Sequence, residues 1–192
     1  MILPIVAYGN PVLRKVAVDI SADYPNLSRL IEDMWETMYA SNGVGLAAPQ
    51  INKDIRLFVV DSLQMFDSMN EEEKAPYPGD EGVRAVFINA HIVKLEGEDW
   101  PYNEGCLSIP KVREDIYRQE KVTLNFVDEN FQPHTKTFTG LSARVILHEY
   151  DHIEGKLFID HLSALKRKLI KGKLNDISKG KVNVDYKMAF PG

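Results

Sequence analysis

The sequence contains one cysteine, five histidines and no long apolar segment. A single cysteine cannot form an internal disulfide, which excludes the small disulfide-stabilised secreted domains. No stretch approaches the roughly 20 apolar residues that a membrane-spanning helix requires. The first residues carry no basic region of the kind that begins a signal peptide. These absences predict a cytoplasmic protein without membrane contact.

The histidines are few, but two of them stand in the pattern His148-Glu149-Tyr150-Asp151-His152. On a helix, residues four apart share a face, so His148 and His152 can bind one cation. Glu149 then lies beside the metal and can act as the base for a metal-bound water. Two histidines satisfied by backbone carbonyls on a half-buried helix would give the same pattern without a metal.

A catalytic zinc-type site usually takes three protein ligands. One metalloprotease pattern would require a histidine at the position of Phe158, and another would require a later glutamate, which is absent after Glu154. The lone Cys106 could complete the set, because a thiolate suits a transition metal. Cys106 could also be an inert packing residue or a nucleophile activated by a histidine.

Apolar periodicity predicts an α+β fold, with antiparallel β-sheets packed around a central helix that carries the metal ligands, and with an N-terminal and a C-terminal helix. The central helix is expected to begin at Ser142 as N-cap and to end at Gly155. The N-terminal helix is expected over residues 24–40. Strands are expected over residues 55–61, 86–95, 121–127 and 132–139, the last two forming a hairpin.

Three motifs together resemble those of the peptide deformylase family. They are Gly43-Val44-Gly45-Leu46-Ala47-Ala48-Pro49-Gln50, Glu104-Gly105-Cys106-Leu107-Ser108 and His148-Glu149-Tyr150-Asp151-His152. The likeness spans about residues 1–165. It implies a metal-dependent hydrolase that removes the formyl group from the N-terminal formylmethionine of nascent polypeptides, with a metal-bound water as nucleophile.

The resemblance also implies the roles of individual residues. Cys106, His148 and His152 are the expected ligands of one divalent transition metal, Fe²⁺ in the cell, with Zn²⁺, Ni²⁺ or Co²⁺ as substitutes. Glu149 is the expected general acid/base. Gln50 and the Leu107 backbone N–H are the expected donors to the oxyanion, a class of contact whose loss typically costs about 2.7–4 kcal/mol of barrier.

Several residues near the motifs are expected to contact the substrate. Gly45 has no Cβ and would let a peptide approach the backbone and pair with it as an added strand. Arg144 requires a partner such as Glu104 if it lies on a pocket wall. The full set of expected substrate contacts is Val44, Gly45, Tyr102, Glu104, Leu141 and Arg144.

The length and composition predict one domain over residues 1–192, with a core at about 1–165. Residues 62–84 are expected to form a solvated insertion loop. Residues 163–192 carry eight Lys and Arg against two Asp, although the chain has a net charge of −5. We expect a terminal helix with an apolar stripe of Leu162, Leu165, Leu169 and Ile170, and with a basic face that could contact ribosomal RNA.

Two other functions remain open at this stage. One is a zincin-type metallopeptidase, which the missing downstream ligand disfavours. The other is a non-catalytic, metal-stabilised module that binds the ribosome, for which the carboxylate of Glu149 would have no chemical role.

Overall fold

A computed structural model describes residues 1–192 and contains five α-helices and seven strands, together with three short 3-10 helices. The helices are α1 Leu27–Ala40, α2 Leu63–Asp67, α3 Glu71–Lys74, α4 Gly140–Ile153 and α5 Ala164–Ser178. The strands are β1 Ile5–Val6, β2 Gly45–Ala47, β3 Leu57–Asp61, β4 Arg84–Cys106, β5 Ile109–Val127, β6 Pro133–Thr139 and β7 Met188–Ala189. The α+β prediction is confirmed.

The main sheet is antiparallel, with the strand order β2-β3-β4-β5-β6. Its β4–β5 hairpin is much longer than predicted, and four register shifts bend it along its length. Leu107 and Ser108 form the turn that joins the two strands. Strand β1 pairs with β7 in a separate two-stranded sheet, which is parallel and thus differs from the antiparallel expectation.

Helix α4 packs against β2, β3, β5 and β6. Ten of its 14 residues are buried, which explains why its apolar side chains are not confined to one face. The helix begins at Gly140 with Thr139 as N-cap, three residues before the start expected from Ser142 as N-cap. The side-chain cap comes instead from Asp80, whose carboxylate accepts from the Ser142 backbone N–H at 2.8 Å. Gly155 ends the helix region with a φ of +69°, as predicted.

Residues 62–84 are partly packed on the domain. They contain α2 and α3, and Phe66 is buried. Ser62 Oγ lies 2.7 Å from Ser142 Oγ, so with Asp80 the insertion is held at the start of α4. The segments that contact α4 therefore differ from the expected plain solvated loop, and residues 71–74 are exposed but helical.

Helix α5 is mostly exposed and docks through Ile170, Leu174 and Ile177. The predicted apolar stripe is wrong for Leu165 and Leu169, which are 68% and 75% exposed. After α5 the chain turns back across the domain to form β7. No helix has the length and apolar character needed to cross a membrane.

Buried apolar residues form three clusters. The first lies between α1 and the sheet, the second between the N-terminal segment and α5, and the third between the sheet and α4. Leu107, Cys106 and Val44 pack at the edges of the first, second and third cluster, respectively. Residues of the first two motifs therefore lie at the edges of the three clusters.

Candidate active site

Two elements bring together Cys106, His148 and His152. Cys106 ends β4, and the two histidines lie one turn apart on α4 with ring centroids separated by 5.2 Å. The Cys106 Sγ atom is 3.3 Å from His152 Nε2, and one donor atom from each residue lies within 4.8 Å of the others. One thiolate and two imidazoles in this arrangement fit a transition metal with an open coordination position.

The charges around the sulfur favour its role as a ligand. Burial would raise the pKa of the Cys106 thiol, but the His152 and His148 imidazoles outweigh burial and lower that pKa to about 5. Burial would lower the pKa of His148, but its bonds to Cys106 and Glu104 raise that pKa well above the ordinary value. Cys106 is therefore available as a thiolate, the form that binds metals.

A buried ion-pair network fixes the orientation of His148. The Glu104 carboxylate lies 2.9 Å from His148 Nδ1, which leaves Nε2 able to bind a metal. Glu104 also accepts from Arg118 at 2.7 and 3.0 Å and from Arg144 at 3.1 Å. Burial would raise the pKa of Glu104, but His148 and Arg118 hold that pKa well below its ordinary value.

The network continues to the far side of α4. Arg118 Nη1 donates to Asp151 at 2.8 Å, and Asp151 lies 2.7 Å from His161 Nε2. Burial would raise the pKa of Asp151, but His161 and Arg118 lower it to about 2. Sequence reasoning missed Arg118 and Asp151, because no motif connects a position in β5 with one in α4.

Glu149 lies beside the three donor atoms and is only 4% exposed. Burial raises the pKa of Glu149 to about 7, despite the opposing effect of His148 and His152. Its Oε2 atom has no hydrogen-bond partner, which is unusual for a buried carboxylate and requires a functional explanation. A carboxyl group with this pKa can both accept and release a proton near neutral pH.

Gly45 makes room for the Glu149 side chain. A Cβ at Gly45 would meet Oε1 of Glu149 first, and would lie only 2.8 Å from its Cγ and Cδ atoms. Sequence reasoning expected the missing Cβ to admit substrate backbone. The structure gives the missing Cβ a second consequence, because any side chain at Gly45 would displace the Glu149 carboxylate.

Gln50 and Leu107 lie next to the Cys106 sulfur. Gln50 is buried; its Oε1 accepts from the Ala47 N–H at 2.9 Å, which aims Nε2 toward Cys106 Sγ at 3.6 Å and Ser108 Oγ at 3.3 Å. The Leu107 N–H belongs to the peptide that directly follows Cys106. The Gln50 amide and this backbone N–H are thus both close to the Cys106 residue.

These groups open into a cleft of about 670 Å³. Val44, Gly45, Tyr102, Glu104 and Arg144 lie in its lining, although the charged ends of the last two are paired with each other. The predicted partnership of Arg144 with Glu104 is therefore present, and the guanidinium also stacks on Trp100 at 4.4 Å from the ring centroid.

Leu141 does not fit the expectation of a substrate contact. It is completely buried at the start of α4 and is absent from the cleft lining. It lies one and two turns before Val145 and His148, which do line the cleft, so it is on the same face of α4, but its own side chain is completely covered.

The insertion and the tail after α5 also contribute residues to the cleft lining, none of which was identified from sequence as part of the site. Met65 comes from the insertion, and four come from the tail after α5: Asn183, Val184, Asp185 and Tyr186. The available signal in the tail was the alternation of Val182, Val184 and Tyr186 with polar residues, which is typical of an extended segment with one buried face.

This combination of an α+β domain, a Cys-His-His donor triad and a buried carboxyl group of raised pKa in an open cleft is typical of a metal-dependent hydrolase. The family model described as polypeptide deformylase matches residues 2–168. The chain therefore belongs to the polypeptide deformylase family.

Individual relatives agree with this assignment. The chain is 56% identical to a peptide deformylase of Christiangramia forsetii, covering 100% of this chain and 97% of the relative. It is 55% identical to that of Flavobacterium johnsoniae, covering 99% and 96%. A crystal structure of a peptide deformylase from Legionella pneumophila superimposes with a TM-score of 0.78 at 37% identity, covering 94% of this chain and 98% of that one.

The protein is accordingly an enzyme that removes the N-terminal formyl group from newly made polypeptides, and the family is metal-dependent. The resemblance deduced from the three motifs is confirmed. This activity also replaces the two other functions considered, the zincin-type peptidase and the non-catalytic module.

Proposed function

We propose that Cys106, His148 and His152 hold the catalytic metal and that Glu149 is the general acid/base. The observation that supports this most strongly is the buried, unpartnered Oε2 of Glu149 beside three metal-binding atoms within 4.8 Å of one another. When bound, the metal supplies Lewis acidity, which lowers the pKa of water and polarises the formyl oxygen.

The side chains then divide the proton and charge movements of hydrolysis. Glu149 takes a proton from the attacking water and delivers it to the amine nitrogen as the C–N bond breaks, which releases formate and a free N-terminus. The Gln50 Nε2–H and the Leu107 N–H donate to the oxygen that gains negative charge when water adds to the formyl carbon.

The methionine side chain and the peptide that follows it occupy the 670 Å³ cleft. Val44, Gly45 and Tyr102 are the proposed contacts, since all three lie in the lining. Glu104 and Arg144 contribute to the wall through their stems, because their charged ends are engaged in the buried network. Strand β2 is at the edge of the sheet and can pair with an extended substrate.

The metal is proposed to be Fe²⁺ in the cell, with Zn²⁺, Ni²⁺ or Co²⁺ able to replace it. One thiolate and two imidazoles suit all four ions, so the assignment requires measurement. Anaerobic purification should yield about one iron per chain together with deformylation of a formylmethionyl peptide. A preparation that holds zinc alone and is fully active would contradict the iron assignment. The lowered pKa of Cys106 makes it sensitive to oxidation, which favours a reducing cytoplasm.

We further propose one domain over residues 1–192, in which α5 contacts ribosomal RNA. Its exposed face combines basic residues with the exposed Leu165 and Leu169. Replacing Arg167, Lys168 and Lys171 by Ser should weaken ribosome binding and reduce its salt dependence.

The control for this test removes the same charge elsewhere. Lys53, Lys121 and Lys136 are exposed and lie outside α5, so their replacement by Ser should leave ribosome binding nearly unchanged. Equal losses in both triple variants would show that only overall charge matters and would refute the α5 contact.

A further inference from the structure

The tail after α5 is anchored at both ends across the cleft. At one end, Gly180 turns the chain with a φ of +71°, next to the Phe190 ring. At the other end, the Ile5 N–H donates to the Lys187 carbonyl at 2.9 Å and the Ala7 N–H donates to the Ala189 carbonyl at 2.8 Å. Residues 181–187 therefore form a strap whose position is set from both sides.

The strap has one inward face. Val182, Val184 and Tyr186 are half-buried, while the residues between them are exposed. Val182 packs against the second cluster, next to α5. Tyr186 packs against the first cluster, next to α1, and Leu107 packs against the same cluster. This face brings Tyr186 to the end of the cleft where the metal ligands lie.

Tyr186 holds the turn between β4 and β5. Its O–H donates to the Leu107 carbonyl oxygen at 2.8 Å. In the same turn, the Ser108 carbonyl accepts from the Tyr8 N–H at 2.8 Å, and Ser108 Oγ accepts from Gln50 at 3.3 Å. Three groups from distant parts of the chain thus fix two consecutive residues.

That turn follows Cys106 directly and includes the Leu107 N–H. Holding the Leu107 carbonyl limits rotation about the Leu107 backbone, and thereby the direction of its N–H and the position of the preceding sulfur. The polypeptide deformylase family model ends at residue 168, so the strap adds a support that lies outside the matched range.

We propose that Tyr186 is a positioning residue, which holds the Cys106–Ser108 turn in the geometry that deformylation requires. This inference rests on the proposed roles of Cys106, Leu107 and Gln50. It assigns the strap a function in catalysis that goes beyond covering the cleft.

The test is Tyr186→Phe, which removes only the O–H. Tyr117→Phe is the matched control, since Tyr117 is exposed and makes no side-chain hydrogen bond. Both variants are purified with Co²⁺, and kcat per bound metal, KM and the absorption spectrum of the resting enzyme are measured. Tyr186→Phe should lower kcat by roughly tenfold, change KM by less than about twofold and shift the thiolate-to-cobalt band.

Two results would overturn the proposal. The first is a kcat per bound metal within about twofold of the Tyr117→Phe control, and the second is a resting cobalt spectrum identical to that of the unaltered enzyme. If Tyr186 instead contacted the substrate directly, Tyr186→Phe would raise KM and leave the resting spectrum unchanged. That unchanged spectrum is the second of these results, so it would overturn the positioning role.

Gln50→Ala separates this failure from a failure of the proposed function. If Gln50→Ala lowers kcat by about 10²–10³-fold while Tyr186→Phe does not, only the role of Tyr186 is refuted. If Gln50→Ala has no effect on kcat, the proposed stabilisation of the oxyanion at this turn is wrong as well.

Discussion

Helices α4 and α5 have 14 and 15 residues, but they use their side chains differently. Helix α4 is buried on several sides, and its polar residues are either paired, as Arg144 and Asp151 are, or face the cleft, as Glu149 does. Helix α5 buries one stripe and exposes its basic residues to solvent.

This difference indicates which part of the molecule can hold charged catalytic groups in fixed positions. A buried charge is costly unless it is paired, so the network around Glu104 restricts each side chain to one arrangement. An exposed charge is screened by water and can vary without consequence for folding. We therefore expect α4 and its contacts to be intolerant of small changes that α5 accepts.

The largest expected effect is the loss of the metal in Cys106→Ala. The variant should bind metal weakly and lose activity by more than the roughly 100-fold that follows loss of an outer partner of a ligand. Metal content after dialysis and deformylation of a formylmethionyl peptide measure the two effects. Full metal occupancy in this variant would remove Cys106 from the ligand set.

A pair of glycine substitutions extends the comparison. Gly45→Ala introduces a Cβ against Glu149 and should lower kcat by about 10²-fold, because a displacement of about 1 Å has that effect on a reacting group. Gly172→Ala in α5 meets no atom within 4 Å, and should leave kcat unchanged while stabilising the helix by roughly 0.5–1 kcal/mol. Equal kcat values for the two variants would refute the role of the space beside Gly45.

A pair of leucines tests stability alone. Leu141→Ala in α4 removes a completely buried side chain and should cost about 2–5 kcal/mol of unfolding free energy. Leu169→Ala in α5 removes a side chain that is 75% exposed and should change the free energy of unfolding by no more than about 0.5 kcal/mol. Urea denaturation measures both. A raised KM with normal stability in Leu141→Ala would restore Leu141 as a substrate contact.

The sequence predicted the donor triad because its members lie in short motifs. The spacing of His148 and His152 follows from helix geometry, and the lone Cys106 was the one thiol available. The hairpin of β5 and β6 was also predictable, since apolar and polar residues alternate on both sides of a turn.

The supporting contacts were not predictable in this way. The pairing of Arg118 with Glu104 depends on the register of a long hairpin with several bulges, which residue patterns do not encode locally. Leu165 and Leu169 were assigned to the wrong face because α5 has apolar residues on two sides, and only packing decides which side is buried. The caps and supports supplied by Asp80 and Tyr186 connect residues far apart in the chain.

The central claim is that the three ligands hold the metal while Glu149 moves the proton. The most direct test is Glu149→Gln, which keeps the shape of the side chain and removes its capacity to exchange a proton. Metal content and kcat are measured on the same preparation. We expect about one metal per chain with kcat lower by about 10²–10⁴-fold. A fully active variant, or one whose activity falls only in proportion to lost metal, would contradict the claim.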